Sequence, residues 1–356
     1  MSTPIQEQAK TDRSSAAPRE MLPPPRAGEV AAAGPLVVAE RLSKSFDDRE
    51  VIKALDFRLE RGTILGLIGP SGCGKTTTVR LMTGLLKPTA GSVTVFGTPS
   101  TELSSRQRVK IGYLPQTPAL FPELSLRENL NFHASMYGLP LRRRRRIKDL
   151  LDWVELRDRM STRVSEASGG MQRRLSLAAA FVQDPVLAFL DEPTAGIDPI
   201  LRVKFWERFR AMAGAGKSLV ITTQYVGEAG ECDVVGLLSD GELLLLDTPA
   251  NLRRAAFSGE VVDVTLTRDA TEAELQQLGA HDFVLGSIER LEAGQIRIVV
   301  DSAEQATGEI NGALAALGLE ARDLREHIVD YDEAFVRVVE RHRRQQADAA
   351  PPEETA

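Results

Sequence analysis

Gly69-Pro70-Ser71-Gly72-Cys73-Gly74-Lys75-Thr76 is a complete G-x-x-x-x-G-K-[ST] pattern, and its flanks decide how it folds. The apolar run Thr63-Ile64-Leu65-Gly66-Leu67-Ile68 ahead of it reads as a buried strand, and residues 76–86 behind it read as a helix. Strand, glycine turn and helix together make a phosphate cradle. Glycines let successive N–H groups curl around an anion, and the helix N-terminus adds partial positive charge. In that setting Lys75 reaches the outer phosphates, Thr76 offers its hydroxyl to Mg²⁺, and Thr77 stands beside it among the nucleotide-binding positions. Without those flanks the pattern is only a tight glycine turn.

The bulk composition narrows the setting. The 356 residues suit about two domains. A net charge of −6 gives no global basic field, so no nucleic-acid partner is expected. No stretch approaches the roughly 18 consecutive apolar residues of a membrane span, and the N-terminus lacks the apolar centre of a signal peptide. A cytoplasmic chain is expected, with any membrane role carried by a partner. Cys73 and Cys232 sit in unrelated contexts and suggest neither a metal site nor a disulfide framework. Cys73 reads either as a small residue in a loop or as a point of redox control.

Residues 1–34 are rich in Pro, Ala, Ser and charge, with almost no aliphatic periodicity, and a disordered arm is expected there. Order is expected from Leu36, with a second strand over 54–59. Phe46 lies between them and reads equally as a core ring or as a face for stacking a base. Residues 91–97 and 111–114 read as further strands. The latter runs into Pro115 and leaves Gln116 at a strand end, where open α/β sheets face their ligand crevice. Ser125 and Glu128 form a capping pair that starts a helix toward Tyr137. Five arginines, Arg142 to Arg146, then load the front of a helix whose Ile147, Leu150, Leu151 and Val154 share an apolar face. Cations at that end oppose the helix dipole. A solvated face is the expected account, and contact with anionic lipid headgroups or a carboxylate-rich partner is the other.

Ser168-Gly169-Gly170 open a strong helix former over 171–181, a second place where bare N–H groups meet a positive helix end. Residues 186–190 read as a buried strand ending in Asp191 and Glu192. Two acids at a buried strand end are costly unless a metal or a reaction uses them. One can hold Mg²⁺ through water while the other orients an attacking water. Strands over 218–223, ending at Gln224, and over 234–238 and 242–246 close the sheet. From about residue 258 the pattern changes. Residues 261–266, 271–278, 282–288, 295–300, 303–317 and 319–327 read strand, helix, strand, strand, helix, strand, the order of a split βαβ sandwich. A last helix over about 331–343 precedes a solvated tail.

This ordered set of motifs resembles the ATP-binding cassette family, the nucleotide-binding subunits of transporters, over about residues 36–250. Phe46 matches the adenine-stacking aromatic, Gly69 to Thr76 the Walker A loop and Gln116 the Q-loop glutamine. Ser168, Gly169 and Gly170 match the heart of the signature motif, Asp191 and Glu192 the Walker B pair, and Asp198, in Gly196-Ile197-Asp198-Pro199, the D-loop. Two departures mark a subgroup. Ala167-Ser168-Gly169-Gly170-Met171 stands where the family usually has Leu first and Gln last, which resembles exporters of the daunorubicin-resistance type. Gln224 stands where the switch histidine normally lies. Its amide can donate to a terminal phosphate but cannot carry charge or shuttle a proton. Glutamine at this point recurs in that exporter subgroup, and a terminal Tyr331-Asp332-Glu333-Ala334-Phe335 is similar to its last motif.

The resemblance implies an α/β fold: a P-loop NTPase ABC cassette, with a RecA-like core plus helical subdomain, and a small C-terminal α/β domain of split βαβ, ferredoxin-like form. It divides the chain into an arm (1–34), a cassette (35–250, helical insert about 118–166), an accessory domain (258–343) and a disordered tail (344–356). It implies ATP and Mg²⁺ as ligands. Phe46, Gly69, Pro70, Ser71, Gly72, Cys73, Gly74, Lys75, Thr76 and Thr77, with Ser168, Gly169, Gly170 and Asp198, would surround the nucleotide. Thr76, Gln116 and Asp191 would serve the metal, and Lys75, Gln116, Glu192 and Gln224 the hydrolysis. ATP would lie head to tail between two subunits, a second copy or a paralogous ATPase. One or two integral membrane permease subunits would dock on the helical insert near Phe121 and Leu124, holding the chain at the inner face of the cell membrane for export. Two other readings are an ABC ATPase that does not transport and, because of Gln224, a nucleotide-gated regulatory module with little hydrolysis.

Overall fold

The strand ahead of the glycine loop lies inside a six-stranded sheet, where it is covered on both faces. The computed structural model describes residues 34–349, so the arm expected over 1–34, apart from Gly34, and the last seven residues lie outside the described residues. Chain order begins β1 (Val37–Phe46), β2 (Arg49–Leu59), β3 (Ile64–Ile68), α1 (Lys75–Met82), β4 (Ala90–Val95), β5 (Thr98–Pro99) and β6 (Ile111–Leu114). Then come α2 (Leu126–Met136), α3 (Arg144–Trp153), α4 (Gly169–Ala180), β7 (Leu187–Asp191), α5 (Pro199–Gly214), β8 (Ser218–Thr223), β9 (Val234–Ser239) and β10 (Glu242–Asp247). The central sheet runs β10-β9-β3-β8-β7-β6, parallel except for the β10–β9 edge pair. A second, antiparallel sheet runs β2-β1-β4-β5.

Strand β3 explains the layering. All five of its residues are buried, as a strand covered on both faces requires. Leu65 and Leu67 point into a core shared with the antiparallel sheet and α1. Ile64 and Ile68 point the other way, into a core built with α4, α5 and the helical segment around α2 and α3. Strand β7 alternates in the same manner, Leu187 and Phe189 against Ala188 and Leu190. The loop helix ends at Met82, earlier than the expected 86, because Gly84 turns the chain at φ 73°.

A third sheet follows α6 (Pro249–Phe257): β11 (Glu260–Leu266), α7 (Glu272–Gly279), β12 (Glu289–Arg290), β13 (Gln295–Val300), α8 (Ala303–Ala316), β14 (Ala321–Glu326) and α9 (Tyr331–Ala349). Its antiparallel order, β12-β13-β11-β14, is that of a split βαβ sandwich. Two expectations are corrected. The strand expected over 282–288 is irregular, held only by a Val284–Val300 bridge, because Gly286 at φ 94° breaks the extended run, and the paired strand is the short β12. The last helix continues past residue 343 to Ala349, through residues expected as tail, and an i,i+4 pair of Arg344 with Glu340 supports the extension. That helix returns to the earlier part of the chain: Arg253 stacks over Tyr331, Arg337 over Phe257, and His342 meets Glu242 at 3.0 Å.

Candidate functional site

The loop between β3 and α1 needs glycine at two points. A side chain at Gly69 would place Cβ 2.1 Å from the Leu238 carbonyl, and Gly74 caps α1 at φ 109°. Lys75 is folded inward, 5% exposed, with Nζ donating to the carbonyls of Gly69 (2.7 Å) and Pro70 (2.9 Å). It therefore closes the loop on itself, and a phosphate would replace these carbonyls as its acceptor. Cys73 is buried beside it, and burial pushes its thiol pKa up against the opposing pull of Lys75. That leaves it protonated rather than reactive, the opposite of a redox-sensitive thiolate. Pro70 and Ser71 are exposed at the mouth, Gly72 has open space at its Cβ position, and Thr77 is half-buried on α1.

Three segments meet behind the loop. The Thr76 hydroxyl donates to Asp191 Oδ1 (3.1 Å), and so does the Thr222 hydroxyl (2.6 Å). Asp191 is fully buried, and its other oxygen, Oδ2, has no hydrogen-bond partner. A buried carboxylate oxygen left bare next to a threonine hydroxyl suits a hard cation with oxygen ligands. Among the described residues no group of three or more His, Cys, Asp or Glu gathers for a metal. One bare carboxylate oxygen beside one hydroxyl is a donor set that fits Mg²⁺, which keeps waters and phosphate oxygens as its other ligands. Glu192 adopts φ 52°, a conformation rare for a side chain of this size, and its N–H is held by the carbonyl and the hydroxyl of Thr222, both at 3.0 Å. Its Oε2 accepts from Gln224 Nε2 at 3.2 Å.

Arg173, on α4, was not among the expected site residues. It is 8% exposed, and its guanidinium donates to four carbonyls: Pro115 (2.7 Å), Gln116 (2.8 Å), Glu192 (2.8 Å) and Asp191. Burial lowers its pKa, and the charges of Asp191 and Glu192 counter that shift. The clamp ties the exit of β6 to the exit of β7 through one side chain. Helical phase carried the signal, since Arg173 shares a face with the buried Leu177 and Ala180.

The remaining expected residues are placed apart. Gln116 is exposed at the end of β6, with its carbonyl rather than its side chain bonded. Phe46 is 43% exposed at the end of β1, with Lys44 Nζ 5.0 Å from its ring centroid, so it is not a core residue. Ser168 caps α4 by accepting from the Met171 N–H (3.3 Å), and Gly169 and Gly170 are exposed with open space around them. Asp198 caps α5 through the Leu201 N–H (2.9 Å). Among the described residues, neither the Ser168 nor the Asp198 side chain hydrogen-bonds to the loop or to Asp191, and each stands exposed at the start of its own helix.

Comparisons with known proteins place the chain in a family. The ABC transporter family profile matches residues 52–195. The chain is 38% identical over 225 residues to the Nod factor export ATP-binding protein I of Rhizobium etli, covering 63% of this chain and 71% of that one. It is 35% identical over 312 residues to the daunorubicin resistance ATP-binding protein DrrA3 of Streptomyces coeruleorubidus, covering 86% and 97%. Among solved structures, an ATP-binding subunit of an ABC transporter superposes with a TM-score of 0.57 at 30% identity over 62% of this chain and 92% of that one. A dimeric ATP-binding cassette in a post-hydrolysis state with ADP and Pi gives 0.56 at 25% identity over 60% and 98%.

Proposed function

Because the chain belongs to the ATP-binding proteins of ABC transporters, of the exporter and drug-resistance type, we propose that it hydrolyses ATP at a site completed by a second ATPase subunit, and thereby drives export through separate permease subunits. Residues 35–250 form the cassette in this reading, and residues 258–343 an accessory unit. The observation that carries it is the buried Asp191, with one oxygen fixed by Thr76 and Thr222 and the other bare, next to a Glu192 whose backbone is held in a strained conformation.

The roles follow from position. The N–H groups of the loop and Lys75 bind the β- and γ-phosphates, with Lys75 exchanging the carbonyls of Gly69 and Pro70 for phosphate oxygen. Thr76, and Asp191 through water, would hold Mg²⁺, with the exposed Gln116 reaching it once the site closes. Bound Mg²⁺ supplies neutralisation of the charge that builds on the β- and γ-oxygens. Glu192 orients and deprotonates the attacking water. Gln224, now bonded to Glu192, turns its amide to the γ-phosphate. Phe46 offers its ring to the adenine. Ser168, Gly169, Gly170 and Asp198 form a helix-end surface that faces the ATP of the other subunit. Supporting this are the exposed N-termini of those two helices, where Ser168 and Asp198 engage only their own caps among the described residues. The dimeric state of the cassette with ADP and Pi supports a paired arrangement.

No helix among the described residues is long and apolar enough to cross a membrane, which supports a separate permease. The helical segment offers it a surface. Phe121 and Phe132 are 42% and 40% exposed with ring centroids 4.4 Å apart, beside Met136 at 69%. Asp191→Asn tests the metal assignment. The Mg²⁺ concentration for half-maximal ATPase activity is expected to rise about 10–100-fold. An unchanged Mg²⁺ dependence would remove Asp191 from that role.

A further inference from the structure

The arginine run contains two kinds of side chain. Arg143 is 8% exposed and donates to the side chain and carbonyl of Asn131 (3.2 and 2.9 Å), to the Leu139 carbonyl (2.9 Å) and to Ser135. Arg146 donates to the carbonyls of Phe181 (2.9 Å) and Val182. These two tie parts of the helical segment together, which corrects the expectation of a solvated face for Arg143 and Arg146. Arg142 and Arg145 are exposed and have no hydrogen bond or ion pair among the described residues.

Both line a cavity of about 610 Å³, where the start of α3 meets the ends of α4 and α5, and Arg208, also exposed and unpaired, joins them. Leu150, Trp153, Phe181 and Met212 give it an apolar wall. Of its two carboxylates, Asp184 is already held by Lys217 and lies 3.9 Å from Arg146, which leaves only Asp149 to oppose three free arginines. The Trp153 indole N–H is buried without a partner at the same wall. Arg142 and Arg145 stand at the front of α3, where cations oppose the helix dipole, Arg208 on α5 adds a third like charge, and a concave wall focuses their field.

We propose that this cavity binds a phosphate-bearing anion, with the forks of Arg142, Arg145 and Arg208 on the phosphate and an apolar portion against Trp153 and Met212. Guanidinium forks match phosphate oxygens in pairs, and the volume falls within the roughly 300–1,000 Å³ of small-molecule sites. The cavity shares no residue with the Gly69 loop or the Asp191 cluster, so the ligand is separate from the ATP that is hydrolysed. An anionic phospholipid headgroup and a soluble phosphate ester both have this chemistry.

The test compares full-length protein with Arg142→Ala/Arg145→Ala/Arg208→Ala and with a control of equal charge change at exposed positions elsewhere, Lys87→Ala/Arg106→Ala/Arg322→Ala. One arm is flotation with phosphatidylglycerol vesicles against phosphatidylcholine vesicles. The other is tryptophan emission during titration with glycerol 3-phosphate, with Trp153→Phe identifying the signal of Trp153 against that of Trp206. The expected result is at least about tenfold weaker binding in the cavity triple than in the control, since charge-assisted bonds to phosphate are lost. Loss of flotation assigns a lipid headgroup. A lost emission change without flotation assigns a soluble ester. Equal behaviour of the two triples in both arms would overturn the proposal. Glycerol 3-phosphate bound at the Gly69 loop is unaffected by either triple, and ATP binding measured on the same proteins reports on the nucleotide site alone.

Discussion

Glu192→Gln is expected to lower ATP turnover by roughly 10²–10⁴-fold, the usual contribution of a positioned general base. ATP binding should survive. The Glu192 backbone is fixed independently of its carboxylate, by two bonds from its N–H to Thr222, and glutamine keeps the shape of the side chain. What disappears is the proton acceptor. A chain that binds ATP but cannot hydrolyse it should accumulate in the ATP-closed pair, so light scattering with Mg-ATP should show a dimer that the parental protein populates only briefly. Parental turnover in this variant would take Glu192 out of the role of base. The same assay decides whether Gln224 marks a weakly hydrolysing regulatory module. Its amide is already in contact with Glu192, which favours a working site.

Arg173→Leu is expected to lose both stability and turnover. One guanidinium satisfies the carbonyls of Pro115, Gln116, Asp191 and Glu192, and leucine would leave all four without it, that of Asp191 fully buried and the others partly so. Each such group costs about 1–3 kcal/mol, so a loss on the order of 3 kcal/mol or more is expected, read as a lower denaturation midpoint. Arg173→Lys separates positioning from simple destabilisation. Its single ammonium keeps the charge but cannot span both pairs of carbonyls. At a temperature where Arg173→Lys is fully folded, kcat should fall while the KM for ATP stays near the parental value, because the clamp sets the exits of β6 and β7 rather than the loop. A KM rise with unchanged kcat would contradict that assignment.

Much of this site was legible in the chain because its parts are local. The glycine loop, the Asp191-Glu192 strand end and the Ser168 cap each declare themselves within about ten residues, through turn chemistry, strand burial and capping. Arg173 did not, because its meaning is tertiary: four acceptors come from two strand exits 18 or more residues away in sequence. In the sequence it stands only as one residue of a strong helix former over 171–181. The arginine run misled in the same way, since the partners of Arg143 and Arg146 lie on other helices and only packing tells a bonded guanidinium from a free one. In the third sheet, residues 282–288 carry the apolar composition of a strand. Gly286 spends it on a turn, and the short pairing partner begins three residues later at Glu289. The last helix outran its expected end because apolar periodicity stops before helical propensity does.

The central claim is that the Gly69 loop is half of a site whose other half is Ser168, Gly169 and Gly170 of a second subunit. Mixing two defective chains measures it directly. Lys75→Ala removes the phosphate ligand of the loop, and Ser168→Arg blocks the helix end, so each alone should be inactive. In a symmetric head-to-tail pair, a mixed dimer concentrates both lesions in one site and leaves the other wholly intact. An equal mixture is therefore predicted to recover ATP turnover, up to about one quarter of the parental rate if half the dimers are mixed and one site in each is intact. A mixture as inactive as its components would contradict the shared site.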